Sequence, residues 1–255
     1  MDENPRAIIA AATGITGDYT KRVAALIDAG AEVICLDVAH GHHILMERAI
    51  KSLRDTHDDF VHLMAGNVAT ADGFRALADW GADSVRVGIG GGSICSTRLQ
   101  TGHGVPSITS IIECASLGLE TRIIADGGIK NSGDIVKALA LGADFVMVGS
   151  LLAGSDQTPG NLIELTGKKY KCYRGMASVE AQKDWRGETS SLEGVSTMVL
   201  HKGDVMDVLE ELKKSIGSGF SYSGASCIEE LWSQSEFIKQ SRLGQVESST
   251  HILKK

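Results

Sequence analysis

The sequence predicts an α/β protein of the (β/α)8 TIM-barrel type, in which six of the eight strand–helix units are recognisable. Apolar strand-like runs alternate with helix-like segments up to about residue 150, which is typical of a parallel sheet covered on both faces. The 255 residues, 43% of them hydrophobic, are enough for one large core. A doubly wound sheet also fits the alternation, but candidate functional residues follow every strand, which favours the barrel.

Six strand-like runs define the repeated unit. Three returns from helix to strand, DAGAEVICLD, DWGADSVRVG and ALGADFVMVG, share a glycine, an alanine and an acidic residue. Because glycine directly after a helix is the expected left-handed stop, the chain repeats one strand–helix unit. The predicted strands span residues 6–12, 32–39, 61–67, 83–89, 121–128 and 144–150.

The alternation is lost after residue 150. A polar segment (GKKYKCYRG), a Gly- and Ser-rich stretch at 186–194, a helix in GDVMDVLEELKKSIGSG and a polar tail follow. We therefore predict a single barrel domain over 1–255, with six units at about 6–150 and a flap and C-terminal segment at about 151–255. Because a closed barrel has eight strands, two units should come from elsewhere or lie upstream of Met1.

The composition argues against several classes of protein. With 25 basic and 32 acidic residues the net charge is −7. The sequence has no stripe of basic residues, which argues against nucleic-acid binding. The apolar runs are shorter than the roughly 20 residues of a membrane span. Five cysteines at irregular spacing indicate reduced thiols, so we expect a cytoplasmic protein that binds neither nucleic acid nor membrane.

Three predicted strands end in glycine-bearing loops: GIGGGS from Gly88, DGG at 126–128, and GS at 149–150. Glycine lets backbone N–H groups approach an anion without a Cβ in the way. One such loop would more simply turn the chain. Three at one mouth, two of them after the last strands, predict a phosphate site.

Cys95 follows the first of these loops. From the residues alone, a nucleophile near backbone dipoles and an inert thiol are equally supported. Cys35, Cys114 and Cys227 fit buried small hydrophobes, and Cys172 fits an exposed or half-buried thiol without function.

Two polar motifs are open to more than one interpretation. Asp126 could accept two ribose hydroxyls or cap the next turn, where Ser132 is a plausible helix N-cap. The histidines of AHGHH at 40, 42 and 43 suggest a metal. They lack companion ligands at metal-binding spacing, so loop histidines are the favoured interpretation.

The chain resembles the inosine monophosphate dehydrogenase and GMP reductase family. The resemblance rests on GIGGGSICST, IIADGGIKNSGDIVKALALGADFVMVGSLLAG and KKYKCYRGMAS, in this order. It implies a catalytic barrel whose cysteine attacks C2 of a purine nucleoside 5′-monophosphate. It also implies that the first two barrel units and the CBS regulatory domain are absent, so a separate chain could supply those units.

The resemblance assigns roles to individual residues. Cys95 takes the position of the nucleophile, Thr97 matches a threonine near it, and Glu180 is adjacent to Val179, where the reductases have a catalytic glutamate. The carbonyls of Gly90, Gly92 and Cys95 match a monovalent-cation site of the dehydrogenases, which we expect to take K+. The positions that match nucleotide contacts are Ser93, Asp126, Gly127, Gly128, Gly149, Ser150, Tyr173, Gly175, Met176 and Ala177. Asp37 and Asn67, which follow the second and third strands, are assigned to the nicotinamide cofactor.

The flap favours the reductase branch. Dehydrogenases of the family hydrolyse the covalent adduct with an Arg-Tyr pair, and VEAQKDWRGETSS contains no such pair. We therefore expect NADPH-dependent conversion of GMP to IMP, with IMP dehydrogenase and NAD as the alternative because YRGMASVE and EGVS resemble the dehydrogenases. The family forms tetramers, and GQVESSTH resembles a segment that reaches a neighbour's cation site. A non-catalytic nucleotide-binding protein is the third possibility.

Overall fold

The computed structural model describes residues 7–188 and 193–250. Six parallel strands form one sheet in chain order: β1 (Ala10–Thr13), β2 (Val33–Asp37), β3 (His62–Val68), β4 (Ser84–Val87), β5 (Arg122–Asp126) and β6 (Phe145–Met147). The helices between them are α1 (Tyr19–Asp28), α2 (Ile44–His57), α3 (Ala71–Asp79), α4 (Thr97–Thr101), α5 (Ser107–Ala115) and α6 (Ser132–Ala140).

The strand order confirms the predicted barrel type and count of six. Each strand pairs in parallel with the next, with no reversal of order as a doubly wound sheet would require. Within the described residues, β1 and β6 each lack a partner on their outer edge, so the six strands form a partial barrel. Ile8 (71% exposed) and Phe145 (58% exposed) lie at these two open edges.

The repeated return from helix to strand has one geometry. Gly30, Gly81 and Gly142 follow α1, α3 and α6 with φ of 97°, 110° and 107°. After each helix, the amides of the glycine and of the alanine that follows it bond back to carbonyls of the last turn, the pattern of a Schellman motif. The acid that follows binds the preceding strand, since Asp83 Oδ2 accepts Leu63 N (2.6 Å) and Asp144 Oδ2 accepts Ile123 N (2.8 Å).

The main core lies between the sheet and the helices that cover its outer face. Strand residues such as Ile34, Leu63 and Val85 are fully buried against Met46 and Phe74 of the helices. A second cluster joins α6 to two later helices, α8 (Val205–Tyr222) and α9 (Ile228–Gln234). The site is therefore built on a packed scaffold despite the open edges.

The region after residue 150 contains a second sheet that the sequence did not predict. It is antiparallel, with strands β7 (Leu162–Leu165), β8 (Lys168–Arg174) and β9 (Ser196–Leu200), and α7 (Val179–Arg186) lies between the last two. The polar GKKYKCYRG is the central strand. Its Lys171 is buried, and Nζ donates to three backbone carbonyls at 2.6 to 3.1 Å, which offsets the cost of burying the charge.

Other parts of the C-terminal region agree only partly with expectation. The predicted helix in GDVMDVLEELKKSIGSG is α8, and α10 (Arg242–Glu247) lies in the polar tail. Residues 189–192 of the Gly- and Ser-rich stretch and residues 251–255 of the tail lie outside the described residues, as does residue 6 of the first predicted strand. In the described ranges, no helix combines the length and apolarity needed to cross a membrane.

Candidate active site

The carboxyl ends of the parallel strands bring the predicted site residues to one mouth of the barrel. Asp37 and Asp126 are the last residues of β2 and β5, and Asn67 is the penultimate residue of β3. The loop from Gly88 follows β4, and Gly149 lies just after β6. Because parallel strands end at the same edge, these residues meet although they are far apart in the chain.

A cleft of about 140 Å³ lies at this mouth, walled by glycine-rich backbone and a few polar side chains. Its size and its backbone walls suit a phosphate group. Among the residues assigned to the nucleotide, the cleft is lined by Ser93, Asp126, Gly127, Gly128, Gly149, Ser150 and Tyr173.

The two glycine loops after β4 and β5 pack directly on each other. Gly128 N donates to Gly91 O (2.8 Å), and a Cβ on Gly127 would lie 2.9 Å from the carbonyl carbon of Gly91. Gly127 also has φ of 91°, which other residues rarely adopt. The amide of Gly128 therefore joins the loops, and a phosphate here would be held by the other groups of the cleft.

We expect Gly88→Ala to destabilise the fold by at least about 2 kcal/mol. Gly88 has φ of 142°, and a Cβ there would collide with the backbone carbonyl of Asp126, which would force the two loops apart. Denaturant unfolding followed by circular dichroism measures the change. Gly14→Ala is the control, because nothing lies within 4 Å of a Cβ at Gly14. Equal stability of both variants would contradict the close approach.

Tyr173 brings the antiparallel sheet to the cleft. Its hydroxyl lies 3.2 Å from Ser93 Oγ, and a Cβ on Gly149 would lie 3.2 Å from the same hydroxyl. Strand β8 thus places a phenol between the loops that follow β4 and β6. Three segments of the chain therefore supply polar groups to one anion-sized space.

Asp126 is held by a network of charged and polar groups. Its Oδ2 accepts from Arg86 Nη2 (2.8 Å), Arg86 Nε (3.2 Å) and Asn67 Nδ2 (2.8 Å). Within the described residues these bonds all go to one oxygen, so Oδ1 lies outside the network. With Oδ2 fixed in this way, Oδ1 is the oxygen that could accept hydrogen bonds from ribose hydroxyls.

Arg86 is the centre of this network and was missed in the sequence. Its side chain is only 12% exposed, and Nη1 pairs with Asp37 Oδ1 at 2.6 Å. Burial lowers the pKa of Arg86, but Asp37 and Asp126 raise it by more, so the pKa lies above the ordinary arginine value. The signal was present as the one charged residue inside the apolar run SVRV of β4.

The two residues assigned to the cofactor differ in what they can offer. Asp37 keeps 45% of its side chain exposed while pairing with Arg86. Both amide hydrogens of Asn67 are used inside the protein, since Nδ2 donates to Gly88 O (2.7 Å) and Asp126 Oδ2. Asp37 therefore suits a ribose of a nicotinamide cofactor, whereas Asn67 could contribute only its carbonyl oxygen.

Cys95 has an exposed thiol at the head of a hydrogen-bonded series. Its Sγ donates to Thr97 Oγ1 (3.1 Å), and Thr97 Oγ1 donates to Glu193 Oε2 (2.7 Å). The backbone fixes this series, because Ser96 N donates to Glu193 O (2.9 Å) and Cys95 forms a β-bridge with Gly194. Glu193 was missed because nothing in the local sequence connects it to Thr97.

Glu180, the carboxylate next to the expected position of the catalytic glutamate, bonds to a serine in this structure. It lies in the first turn of α7, where its Oε2 accepts from Ser196 Oγ at 2.7 Å. That hydrogen bond is the main cause that lowers the pKa of Glu180 below its ordinary value. The carboxylate bonded to Thr97 is that of Glu193, not that of Glu180.

The segment assigned to the purine base follows β8 and lies beside the Cys95 loop. A Cβ on Gly175 would be 3.4 Å from Ile94 Cδ1, and Val195 N donates to Ile94 O. Met176 is 66% exposed, and Ala177 O accepts from Gln182. The base assignment of these residues is thus compatible with a purine placed over Cys95.

The assigned cation site is a partial set of oxygen ligands. The carbonyl of Gly92 already accepts Cys95 N (3.1 Å), and Gly90 packs on Arg98, which donates to the carbonyl of Ile89 (3.3 Å). A hard cation needs several oxygens, so the loop would require further ligands from another segment.

The histidines of AHGHH have structural contacts. His43 Nδ1 accepts Leu45 N (3.1 Å) and caps α2, and the ring of His42 lies 6.0 Å from that of Trp80. Over the described parts of the chain, no three His, Cys, Asp or Glu side chains are grouped to hold a metal. The cap expected at Ser132 is provided instead by Asn131, whose side chain accepts Asp134 N.

The five thiols fall into two classes. Cys35 and Cys114 are buried as predicted, whereas Cys95, Cys172 and Cys227 are exposed. The prediction for Cys227 was wrong because this residue lies at the start of α9, outside the core. Burial raises the pKa of Cys35, and burial with the nearby Glu113 raises that of Cys114 to about 12.

We expect iodoacetamide at pH 7.5 to modify the three exposed thiols and to spare Cys35 and Cys114. The thiolate is the reactive form, and a raised pKa keeps both buried groups protonated at this pH. Peptide mapping by mass spectrometry gives the modified fraction at each site. Labelling in urea is the control and should reach all five. Modification of native Cys114 as fast as Cys172 would contradict the buried placement.

Comparison with known proteins gives one consistent result. A family described as the IMP dehydrogenase / GMP reductase domain matches residues 1–251. The inosine-5′-monophosphate dehydrogenase of Nitrosopumilus maritimus is 44% identical over 266 residues, covering 98% of this chain and 55% of the relative. That of Aquifex aeolicus is 44% identical over 261 residues, covering 98% of this chain and 53% of the relative.

A solved structure that is named as a reductase also matches the chain. The GMP reductase C318A from Trypanosoma brucei, in complex with guanosine 5′-monophosphate, superposes with a TM-score of 0.92 at 39% identity. The match covers 98% of this chain and 54% of that chain. The chain therefore spans about half the length of the relatives that it matches.

Proposed function

The chain belongs to the IMP dehydrogenase / GMP reductase family, and from this premise we propose that it is a purine nucleotide oxidoreductase of the GMP reductase type. The observation that carries the proposal is the series Cys95–Thr97–Glu193 at the mouth of a partial barrel, beside an anion-sized cleft. The T. brucei reductase binds GMP in its crystal, which supports a purine nucleoside 5′-monophosphate as substrate.

The nucleotide is held by its phosphate and ribose. The 5′-phosphate occupies the cleft between Ser93, Tyr173 and Gly149, and Asp126 accepts the ribose hydroxyls while Arg86 fixes its other oxygen. Anchoring at these two points sets C2 of the purine within reach of Cys95. Proximity of this kind is what makes an ordinary thiol an effective nucleophile.

The covalent step uses the hydrogen-bonded series. Cys95 Sγ bonds to C2 of GMP, the bond from C2 to the 2-amino nitrogen breaks, and the amine leaves as ammonia with the proton that the thiol gave up. Thr97 passes that proton from the thiol to the amine. The carboxylate of Glu193 orients the threonine hydroxyl and increases the negative charge on its oxygen. Asp37 would hold NADPH beside this site, and the bound cofactor would supply the hydride that replaces sulfur at C2, so that Cys95 leaves as a thiolate and IMP is formed.

IMP dehydrogenase is the second candidate, because the curated relatives at 44% identity carry that name. Its reaction ends with hydrolysis of the adduct, which requires an activated water. Between Gly175 and Glu193 the sequence has no Arg-Tyr pair to activate one. The flap therefore supports the reductase and NADPH over the dehydrogenase and NAD.

The assembly is part of the proposal. Ile8 and Phe145 at the open edges support two further parallel units, from a separate chain, that would close the barrel. We propose a cytoplasmic homotetramer in which K+ binds the carbonyls of Gly90, Gly92 and Cys95 with oxygen ligands from a neighbour. The alternative to an enzyme is a protein that binds the nucleotide without turnover.

Parallel assays distinguish these functions. The protein is given GMP with NADPH, or IMP with NAD, with and without K+, and the absorbance at 340 nm and the ammonia released are followed. GMP-dependent loss of NADPH with equal release of ammonia supports the reductase. IMP-dependent formation of NADH would establish the dehydrogenase instead. Binding of GMP without turnover in either assay would favour the non-catalytic protein.

A further inference from the structure

A lysine that is not among the residues lining the cleft contacts the backbone of one that is. Lys202, which follows β9, donates from Nζ to Ser150 O and Leu151 O, both at 2.9 Å. Ser150 lines the cleft directly, although Lys202 does not. The lysine therefore contacts the wall of the site through backbone groups alone.

The backbone of Lys202 is fixed relative to this wall. Lys202 N donates to Gly154 O (3.0 Å), and on the other side Asp156 N donates to Gly203 O (2.8 Å). The turn from Gly149 is closed by two bonds to Gly149 O, from the amides of Leu152 and Ala153 (3.0 Å each). The ammonium and the turn are thus held together by the ladder between 154–156 and 202–203.

The bond from Lys202 to the carbonyl of Ser150 also affects the N–H group of the same peptide, which belongs to Leu151. In a trans peptide the oxygen and the amide hydrogen lie on opposite sides, so the N–H of Leu151 is directed away from the ammonium that holds Ser150 O. A cation at the oxygen increases the polarity of that N–H, since hydrogen bonds in series strengthen one another. It also places a positive charge 2.9 Å from the carbonyl oxygen of Ser150, a residue that lines the cleft.

We propose that Lys202 is a positioning residue for the 5′-phosphate, which orients and polarises the peptide groups of Ser150 and Leu151. The inference rests on the proposed nucleotide site and names a residue of it that the resemblance did not assign. Lys171 provides the contrast within the same region. Its Nζ also donates to backbone carbonyls, but those belong to Ser155, Asp156 and Thr158, none of which lines the cleft.

The test compares a ligand that has the phosphate with one that lacks it. Calorimetry gives the Kd of GMP and of guanosine for the wild type, Lys202→Met, Lys202→Arg and Lys214→Met at one ionic strength. We expect Lys202→Met to weaken GMP binding roughly tenfold and guanosine binding less than about twofold, because a charge acts on an anion through aligned dipoles. Lys202→Arg should restore most of the GMP affinity.

Lys214→Met is the matched control, because it removes one lysine charge from the exposed face of α8 and should leave both Kd values unchanged. Equal losses for GMP and guanosine in Lys202→Met, or an unchanged GMP Kd, would reduce Lys202 to a structural contact and overturn the inference. A wild type that binds GMP without turnover would overturn the reductase while the comparison still decides the role of Lys202. A wild type that does not bind GMP would overturn both.

Discussion

Cys95→Ala is expected to lower turnover at least about 10⁴-fold, because the proposed mechanism forms the bond to C2 with the thiol of Cys95. The contacts proposed to hold phosphate and ribose come from Ser93, Tyr173 and Asp126, and the substitution leaves these residues in place. The Kd of GMP should therefore stay within about threefold of wild type. Steady-state NADPH oxidation measures the first quantity and calorimetry measures the second.

Cys227→Ala is the matched control for this experiment. Its thiol is also exposed, but it lies at the start of α9, on a part of the chain that packs against α6. We expect the control to retain wild-type turnover. Residual activity in Cys95→Ala above a hundredth of wild type would show that the reaction proceeds without the covalent adduct, and would remove the central step of the mechanism.

The barrel units could be predicted because each carries its own local signal. The glycines at 30, 81 and 142 all adopt positive φ after a helix, as their shared motif predicts. The acid two residues later ties the new strand to the previous one, so the same ten residues determine both the stop and the pairing. Architecture follows from such repeats with little help from distant contacts.

The antiparallel sheet could not be predicted because the sequence of its central strand is as polar as an exposed loop. Lys168, Lys169 and Lys171 make GKKYKCYRG strongly polar, yet Lys171 is 6% exposed. Its ammonium is satisfied by three carbonyls of the loop before β7, which offsets the cost of burial. Only the tertiary structure reveals those partners, so a hydropathy pattern assigns the residue to the surface.

In the site, too, some residues have a local sequence signal and others are revealed only by tertiary contacts. The glycine loops and Cys95 form contiguous motifs, whereas Arg86 and Glu193 act through partners far away in the chain. Arg86 reaches Asp126 across 40 residues, and Thr97 reaches Glu193 across 96. Glu180 was the expected acid because it lies near a family position, but contact with Thr97 is decided by the backbone pairing at Cys95 and Gly194.

Glu193→Gln should lower kcat roughly 10²- to 10³-fold with a much smaller change in the KM for GMP. The amide keeps the shape of the side chain but lacks the charge that makes the hydroxyl of Thr97 a better proton acceptor. Thr97→Val should give a loss of similar size. Because the two groups act in series, the double variant should be little worse than either single one.

Glu180→Gln decides between the two carboxylates. If the family position determined the role, this variant would show the large loss and Glu193→Gln a small one. The geometry predicts the reverse, since Glu180 Oε2 accepts from Ser196 and Glu193 Oε2 accepts from Thr97. Glu210→Gln on the exposed face of α8 controls for the loss of one acidic charge. Full activity in Glu193→Gln would mean that the thiol loses its proton by another route, and only the covalent role of Cys95 would then remain.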